Sequence, residues 1–111
     1  MIRIEPITFK YTDGFTVTGH ANYAEHGADI VCSAISAIVQ TTEMALHRHS
    51  NIYSTFGIES IIEEGHISVH IKESNVYTNI LVDAMINGIR AIIAKYPQYV
   101  TIQEEEYDKR F

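Results

Sequence analysis

The chain has little of several residue types, and each shortage excludes a class of protein. Its 111 residues include one cysteine, Cys32, so no disulfide can form within the chain and a reducing compartment is expected. Eight lysines and arginines stand against 14 aspartates and glutamates, and the basic residues are scattered from Arg3 to Arg110. Because proteins that bind nucleic acids concentrate basic residues on one face, direct nucleic-acid binding is not expected.

Long apolar runs and ligand-binding motifs are also missing from the sequence. No continuous apolar run approaches the ~20 residues that cross a bilayer, and the alternating N-terminus lacks the apolar core of a signal peptide. Neither GxGxxG nor GxxxxGK[ST] occurs. His66 and His70 lie on one predicted strand with Cα atoms ~13 Å apart, too far to share a metal ion. We therefore predict a cytoplasmic protein without a membrane partner, metal or cofactor.

What is present is typical of one globular domain, residues 1–111, with 46% hydrophobic and 20% charged residues. Alternating patterns and turn residues predict five strands, and apolar residues at helical spacing predict two helices. The predicted strands are 2–9, 15–20, 58–64, 66–72 and 99–105. The first helix follows Asp29 as N-cap and ends near His49; the second follows Ser74 or Asn75 and ends at Tyr96. The fold class is α+β, a mostly antiparallel five-stranded sheet with two helices, in the order β-β-α-β-β-α-β.

Cys32 is the residue whose position most directly suggests chemistry. With Asp29 as N-cap, its sulfur would lie near the unpaired N–H groups of the first helical turn, where a nucleophilic thiolate is favoured. His20 ends a predicted strand, and a loop at 21–28, bracketed by Gly19 and Gly27, could return it to the helix start. There it could protonate a leaving amine. Ser36, one helical turn further along, would share the face of Cys32.

Each of these residues also has an ordinary structural explanation. Free cysteine is among the most buried residue types, and a single cysteine in a helical pattern is usually part of the core. Asp29 could cap the helix, orient His20, or do both. From position alone, packing and chemistry both stay open for Cys32.

One segment closely resembles the signature of a known family, the ribosomal-processing cysteine proteases (the Prp family). The signature reads G-H-A-x-Y-x-x-x-G-x-D-I-V-C-S-A-x-S. The matching positions here are Gly19-His20-Ala21, Tyr23, Gly27, Asp29-Ile30-Val31-Cys32-Ser33-Ala34 and Ser36. The length and the predicted order of elements are also similar to that family.

The resemblance implies a small, cytoplasmic, homodimeric endopeptidase. Such an enzyme removes an N-terminal extension from a large-subunit ribosomal protein precursor, whose basic N-terminal arm must be exposed, and cleaves after a hydrophobic stretch ending in Phe. It implies that Cys32 is the nucleophile and His20 the general acid and base, with Asp29 and Ser36 supporting them. The glycines Gly19 and Gly27 would flank a flexible loop that orders over the substrate.

Two other classes remain as alternatives at this point. A non-catalytic dimeric interaction protein acting in ribosome assembly would keep Cys32 packed, and its thiol would react only slowly with an alkylating reagent. A thiol-based redox sensor would need a resolving cysteine, which the chain does not supply.

Overall fold

The structure of the protein, a computed structural model, describes residues 1–8, 13–19, 26–53 and 57–103. The described elements follow the predicted order β-β-α-β-β-α-β. They are β1 (Ile2–Thr8), β2 (Asp13–Thr18), α1 (His26–Tyr53), β3 (Ile58–Glu63), β4 (His66–Ile71), α2 (Val76–Lys95) and β5 (Val100–Ile102).

The strands form one sheet in the order β3-β4-β2-β1-β5. The hairpins β1–β2 and β3–β4 are antiparallel pairs, the two hairpins join through the antiparallel pair β2–β4, and β1 and β5 run parallel. The parallel pair arises because β5 follows a helix that returns the chain across the sheet. The predicted α+β fold with a mostly antiparallel sheet is confirmed.

Pro6 lies where β1 lacks a described partner on one side. Ile2 N donates to Tyr99 O at 2.8 Å, and Gln103 N donates to Ile4 O at 3.1 Å, so the even-numbered backbone groups of β1 face β5. In the described part of the chain, β5 ends at Ile102, opposite Ile4. The missing N–H of Pro6 therefore removes no hydrogen bond to the described part of β5.

The core lies between one face of the sheet and both helices. Alternate strand residues are buried, and in β4 these are Ile67, Val69 and Ile71, as the alternation predicts. Each helix contributes one apolar stripe to the same cluster. The stripe of α1 comprises Val31, Ile35, Val39 and Leu46, and that of α2 comprises Val82, Met85, Ile86 and Ile89.

The first helix is longer at both ends than the sequence predicts. It begins at His26, so Asp29 lies inside its first turns and is not the N-cap, and residues 26–28 of the predicted loop are helical. It ends at Tyr53, so His47, Arg48 and His49 are not in its last turn. Asp29 remains near the positive end of the helix, where a carboxylate is favourable without capping. The rest of that loop, residues 21–25, lies outside the described residues, as does His20.

The second helix begins and ends where the sequence predicts. Of the two predicted caps, Asn75 is the one used: its side chain accepts hydrogen bonds from Tyr77 N at 2.8 Å and Thr78 N at 3.1 Å. The Thr78 hydroxyl in turn accepts from Asn75 N at 2.9 Å, completing a capping box. The C-cap is Tyr96, next to Pro97.

Both helices are also long and apolar enough, on average, to cross a membrane, over Ile30–Ser50 and Val76–Lys95. The mean hydropathy of a helix counts the residues on all its faces. It can therefore be high although the sequence contains no continuous apolar run of that length. Val39 and Ile86, one on each helix, are fully buried against the sheet. The helices of a globular core commonly have this composition.

The capping box predicts how α2 responds to substitution. Replacing Asn75 by Ala leaves the N–H groups of Tyr77 and Thr78 without their acceptor, so the free energy of unfolding should fall by about 1 kcal/mol. Urea denaturation followed by circular dichroism measures this loss. The control is Asn87→Ala, at an exposed position within α2, which should be neutral or slightly stabilising because Ala favours helix. Equal stability of the two variants would contradict the capping role.

Candidate active site

A cleft of about 270 Å³ opens between α1 and one end of the sheet. Its wall combines the N-terminal half of α1, the start of β1, the end of β2 and the β3–β4 turn. The lining residues are Ile2, Val17, Gly19, Cys32, Ile35, Ser36, Gln40, Ile62, Glu63, Glu64, Gly65, His66 and Ile67. Three of the residues predicted from the sequence, Gly19, Cys32 and Ser36, therefore lie around one cavity.

Cys32 is both packed and open to the cleft. It is a free, half-buried cysteine that contacts the core while lining the cavity. The earlier start of α1 corrects one part of the prediction, because Cys32 is not on the first helical turn. Beyond the first turn, backbone N–H groups are paired within the helix, so the N–H of Cys32 is not one of the unpaired donors.

Cys32, Ser36 and Gln40 line the cleft as a row along α1. Residues spaced by four share a helical face but turn gradually around the axis, because a turn contains 3.6 residues. Exposure increases accordingly along the row, from half-buried Cys32 and Ser36 to exposed Gln40. Ser36 shares the face of Cys32, as predicted.

Gly19 holds the end of β2 against two other parts of the cleft wall. Its φ of 98° is in the left-handed region, and a Cβ atom there would overlap the carbonyl oxygen of Met1. Its N–H donates to the carbonyl oxygen of Gly65 in the β3–β4 turn at 3.0 Å. Only glycine satisfies both constraints. His20, the predicted acid/base residue, follows Gly19 directly in the sequence and lies outside the described residues.

Of the other histidines with described side chains, only His66 contributes to the cleft lining. His66 and His70 occupy the face of β4 opposite Ile67 and Ile71, which pack toward the helices, so His66 lines the cleft from beside the β3–β4 turn and His70 lies outside it. His47 lies roughly 22 Å further along α1 at ~1.5 Å per residue, and His49 lies just beyond it. The side chains of His20, His26 and Asp29 lie outside the described residues, and Gly27 lies in the first turn of α1.

A second polar cluster, not found from the sequence, joins α1 to β3. The Ser60 hydroxyl donates to Glu43 Oε2 at 2.8 Å, and His47 Nε2 lies 2.9 Å from Ser60 Oγ and 3.0 Å from Glu43 Oε2. The same nitrogen of His47 contacts both partners, and the Ser60 hydroxyl donates its hydrogen bond to the Glu43 carboxylate and not to the histidine. The cluster therefore lacks the hydrogen bond from serine to histidine that activates a nucleophile. The spacing of Glu43 and His47 on one helical face was the available signal.

Within the described ranges, no group of three or more His, Cys, Asp or Glu side chains is placed to hold a metal ion. The absence of a metal and of a cofactor stays a prediction. A free thiol on a packed helix, facing a cleft, is the arrangement of an α+β enzyme that uses a cysteine.

Comparison with known proteins identifies the enzyme family to which this chain is similar. The family model for cysteine protease Prp matches residues 1–101. The ribosomal processing cysteine protease Prp of Bacillus subtilis is 60% identical over 25 residues, 22% of each chain. That of Mycoplasma pneumoniae is 22% identical over 101 residues, 85% of this chain and 89% of the relative.

The fold matches a solved member of the same group. The essential ribosomal processing protease Prp from S. aureus, in complex with a substrate peptide, superimposes with a TM-score of 0.70 at 18% identity. Its complex with a covalently linked product peptide gives 0.68 at 19%. Each alignment covers 93% of this chain and 98% of the other.

The chain belongs to the Prp family of ribosomal-processing cysteine proteases. The resemblance stated from the signature is confirmed, and the protein is a cysteine protease, which decides against the non-catalytic interaction protein and the redox sensor.

The close approach at Gly19 predicts a local effect on the site. Gly19→Ala must move β2 away from Met1 and Gly65, so stability should fall by about 1–3 kcal/mol and peptidase activity should drop more than tenfold. Thermal melting and a peptide-cleavage assay measure the two losses.

Gly57→Ala is the matched control, since Gly57 also has positive φ (52°) but lies outside the cleft lining, and an added Cβ there would meet only the Lys72 side chain. It should lose stability while keeping the activity of its folded fraction. A folded Gly19→Ala enzyme with full activity would contradict the role assigned to Gly19.

Proposed function

We propose that the protein is an endopeptidase that removes the N-terminal extension of a large-subunit ribosomal protein precursor. Cys32 is the nucleophile and His20 the general acid and base. The observation that carries this proposal is the position of Cys32 in the same cleft wall as Gly19, the residue directly before His20. The substrate class is supported by the relatives from Bacillus subtilis and Mycoplasma pneumoniae, which are ribosomal processing proteases.

The reaction proceeds through an acyl-enzyme. The Cys32 sulfur forms a bond to the scissile carbonyl carbon, the C–N bond breaks, and His20 gives its proton to the departing amine. His20 then takes a proton from water, whose oxygen attacks the thioester carbon. Cleavage of the C–S bond releases the carboxylic acid and regenerates the thiol. The overall change is hydrolysis of one peptide bond.

The position of Cys32 makes His20 more important than the sequence alone suggested. The field of a helix N-terminus falls off within the first turn, and Cys32 lies beyond that turn of α1. The proton of the thiol therefore goes to His20, and an imidazolium beside the sulfur keeps the thiolate in place.

The remaining predicted residues have supporting roles. Ser36 donates or accepts a hydrogen bond to the substrate backbone from the cleft wall. Asp29 stabilises the start of α1 and orients His20. Gly19 and Gly27 flank the segment that closes over the bound peptide and excludes water.

The same proposal covers partners and location. The enzyme works in the cytoplasm as a homodimer, without nucleic acid or membrane. Its substrate carries a basic N-terminal arm, and the net charge of −6 attracts such a chain.

The nucleophile is tested by incubating the precursor of the ribosomal protein with wild type, Cys32→Ala and Cys32→Ser. Wild type should shorten the precursor, Cys32→Ala should be inactive, and Cys32→Ser should lose at least about a thousandfold because the hydroxyl is a much weaker nucleophile. His20→Ala should lose about 10²–10⁴-fold while Cys32 stays alkylatable. Mass spectrometry of products gives the cleaved bond. Cleavage by Cys32→Ala at the wild-type rate would end the assignment.

Ser36 is tested against Ser33, an exposed serine three residues earlier on α1 that does not line the cleft. Ser36→Ala should reduce kcat/KM about tenfold because one hydrogen bond to the substrate is lost. Ser33→Ala, at an exposed position outside the cleft lining, is the matched control and should leave kcat/KM unchanged. Equal kinetics for both variants would remove Ser36 from the site.

A further inference from the structure

We propose that the peptide substrate binds in extended form along the open edge of β3, adding a strand to the sheet before it enters the Cys32 cleft. The inference rests on the proposed function and specifies how the site recognises its substrate. It starts from the sheet order, in which β3 is an outermost strand among the residues that the structure describes. An outermost strand presents unpaired backbone groups that an extended chain can bind.

The register identifies which backbone groups face that edge. Lys72 N donates to Gly57 O at 3.0 Å, so the odd-numbered residues of β3 direct their backbone groups toward β4. Backbone direction alternates along an antiparallel strand. The N–H and C=O groups of Ile58, Ser60 and Ile62 therefore point away from the sheet.

This edge leads directly into the cleft. Ile62 has outward-facing backbone groups and also lines the cavity that contains Cys32, Ser36 and Gln40. A peptide paired with Ile62 would lie between the edge of β3 and the polar row on α1. The scissile bond can then reach the sulfur without leaving the extended conformation.

The side chains along the edge suit a peptide with apolar and basic residues. Ile61 and Ile62 are 54% and 50% exposed, on opposite faces of the strand. Lys72 Nζ lies 2.7 Å from Glu59 Oε1, and this hydrogen bond and charge hold the pKa of Glu59 below its usual value. Glu63 and Glu64 are both exposed and add negative charge where β3 meets the cleft.

The same charges disfavour a second copy of this chain as the occupant. Pairing of two β3 edges about a twofold axis would bring the carboxylates of Glu59 and Glu63 from both copies onto one face. Like charges on neighbouring strands are destabilising. A basic peptide brings the opposite charge, so the edge fits the substrate better than a partner subunit.

The cluster of Glu43, His47 and Ser60 keeps the edge in place. It ties the middle of β3 to α1, with Glu43 8% exposed. The separation of the strand edge from the helix row is thereby fixed before substrate binds. Such preorganisation reduces the entropy lost on binding.

N-methylation of the substrate tests the pairing directly. A peptide spanning the cleavage site is synthesised with one backbone N-methyl group at each successive position on the side bound by β3. Pairing predicts alternation: every second N-methyl group should lower kcat/KM about tenfold or more, whereas those between should have little effect. Losses without a period of two would overturn the proposal.

Ile62 provides the complementary test on the protein. Ile62→Pro removes an N–H that faces the open edge and breaks no bond to β4, whereas Ile62→Ala keeps the N–H. Ile62→Pro should lose at least about tenfold more kcat/KM than Ile62→Ala. Alkylation of Cys32 by iodoacetamide and the melting temperature should match wild type, which would show an intact site.

The results separate this proposal from the proposed function. Cleavage by wild type but not by Cys32→Ala, together with equal kinetics for Ile62→Pro and Ile62→Ala, would overturn edge pairing and leave the protease intact. Dissociation of a wild-type dimer by Ile62→Pro, seen by size-exclusion chromatography, would assign the edge to a second copy and also overturn it. Absence of any cleavage by wild type would reject the proposed function and this inference with it.

Discussion

The packing of α1 on the sheet determines where the thiol lies. Val31 and Ile35 are almost completely buried and define the stripe that faces the sheet. Successive residues of a helix are rotated by about 100°, which places Cys32 at the border of that stripe. The same contacts that stabilise the core therefore hold the sulfur half-buried at the rim of the cleft. In this position the proposed nucleophile loses little additional freedom when substrate binds.

The cleft divides its tasks between a packed helix and the end of a strand. Cys32 and Ser36 belong to α1, whose position is fixed by the core, whereas His20 follows Gly19 at the end of β2. Gly19 is itself held by the Gly65 carbonyl and by its close approach to Met1. Proton transfer requires donor and acceptor within hydrogen-bond distance. His20, the proposed partner of the thiol, directly follows this constrained glycine in the sequence.

Much of the fold could be predicted because each element has a local cause. Alternation identified the buried face of β4, and Asn75 and Pro97 bounded α2 through chemistry within a few residues. The predicted start of α1 was wrong, because an aspartate such as Asp29 is favourable both as an N-cap and within the first turns of a helix. For the site, spacing placed Ser36 beside Cys32, and the family signature indicated which residues matter. The cluster of Glu43, His47 and Ser60 joins two elements across the fold, and no local pattern contains that pairing.

The two outer strands of the described sheet, β5 and β3, differ in length and in the apolar side chains that they expose. The described β5 is three residues long, which gives little backbone for another chain to bind. The opposite edge, β3, has six residues and carries exposed Ile62 where it meets the cleft and exposed Ile61 on its other face. An exposed apolar edge invites aggregation, and proteins normally shield it with charge. Here charge is present at Glu59 and Glu63 but absent between them, so Ile62 stays exposed where the strand lines the cleft. An unshielded apolar side chain at the cleft fits a binding surface better than an accident of packing.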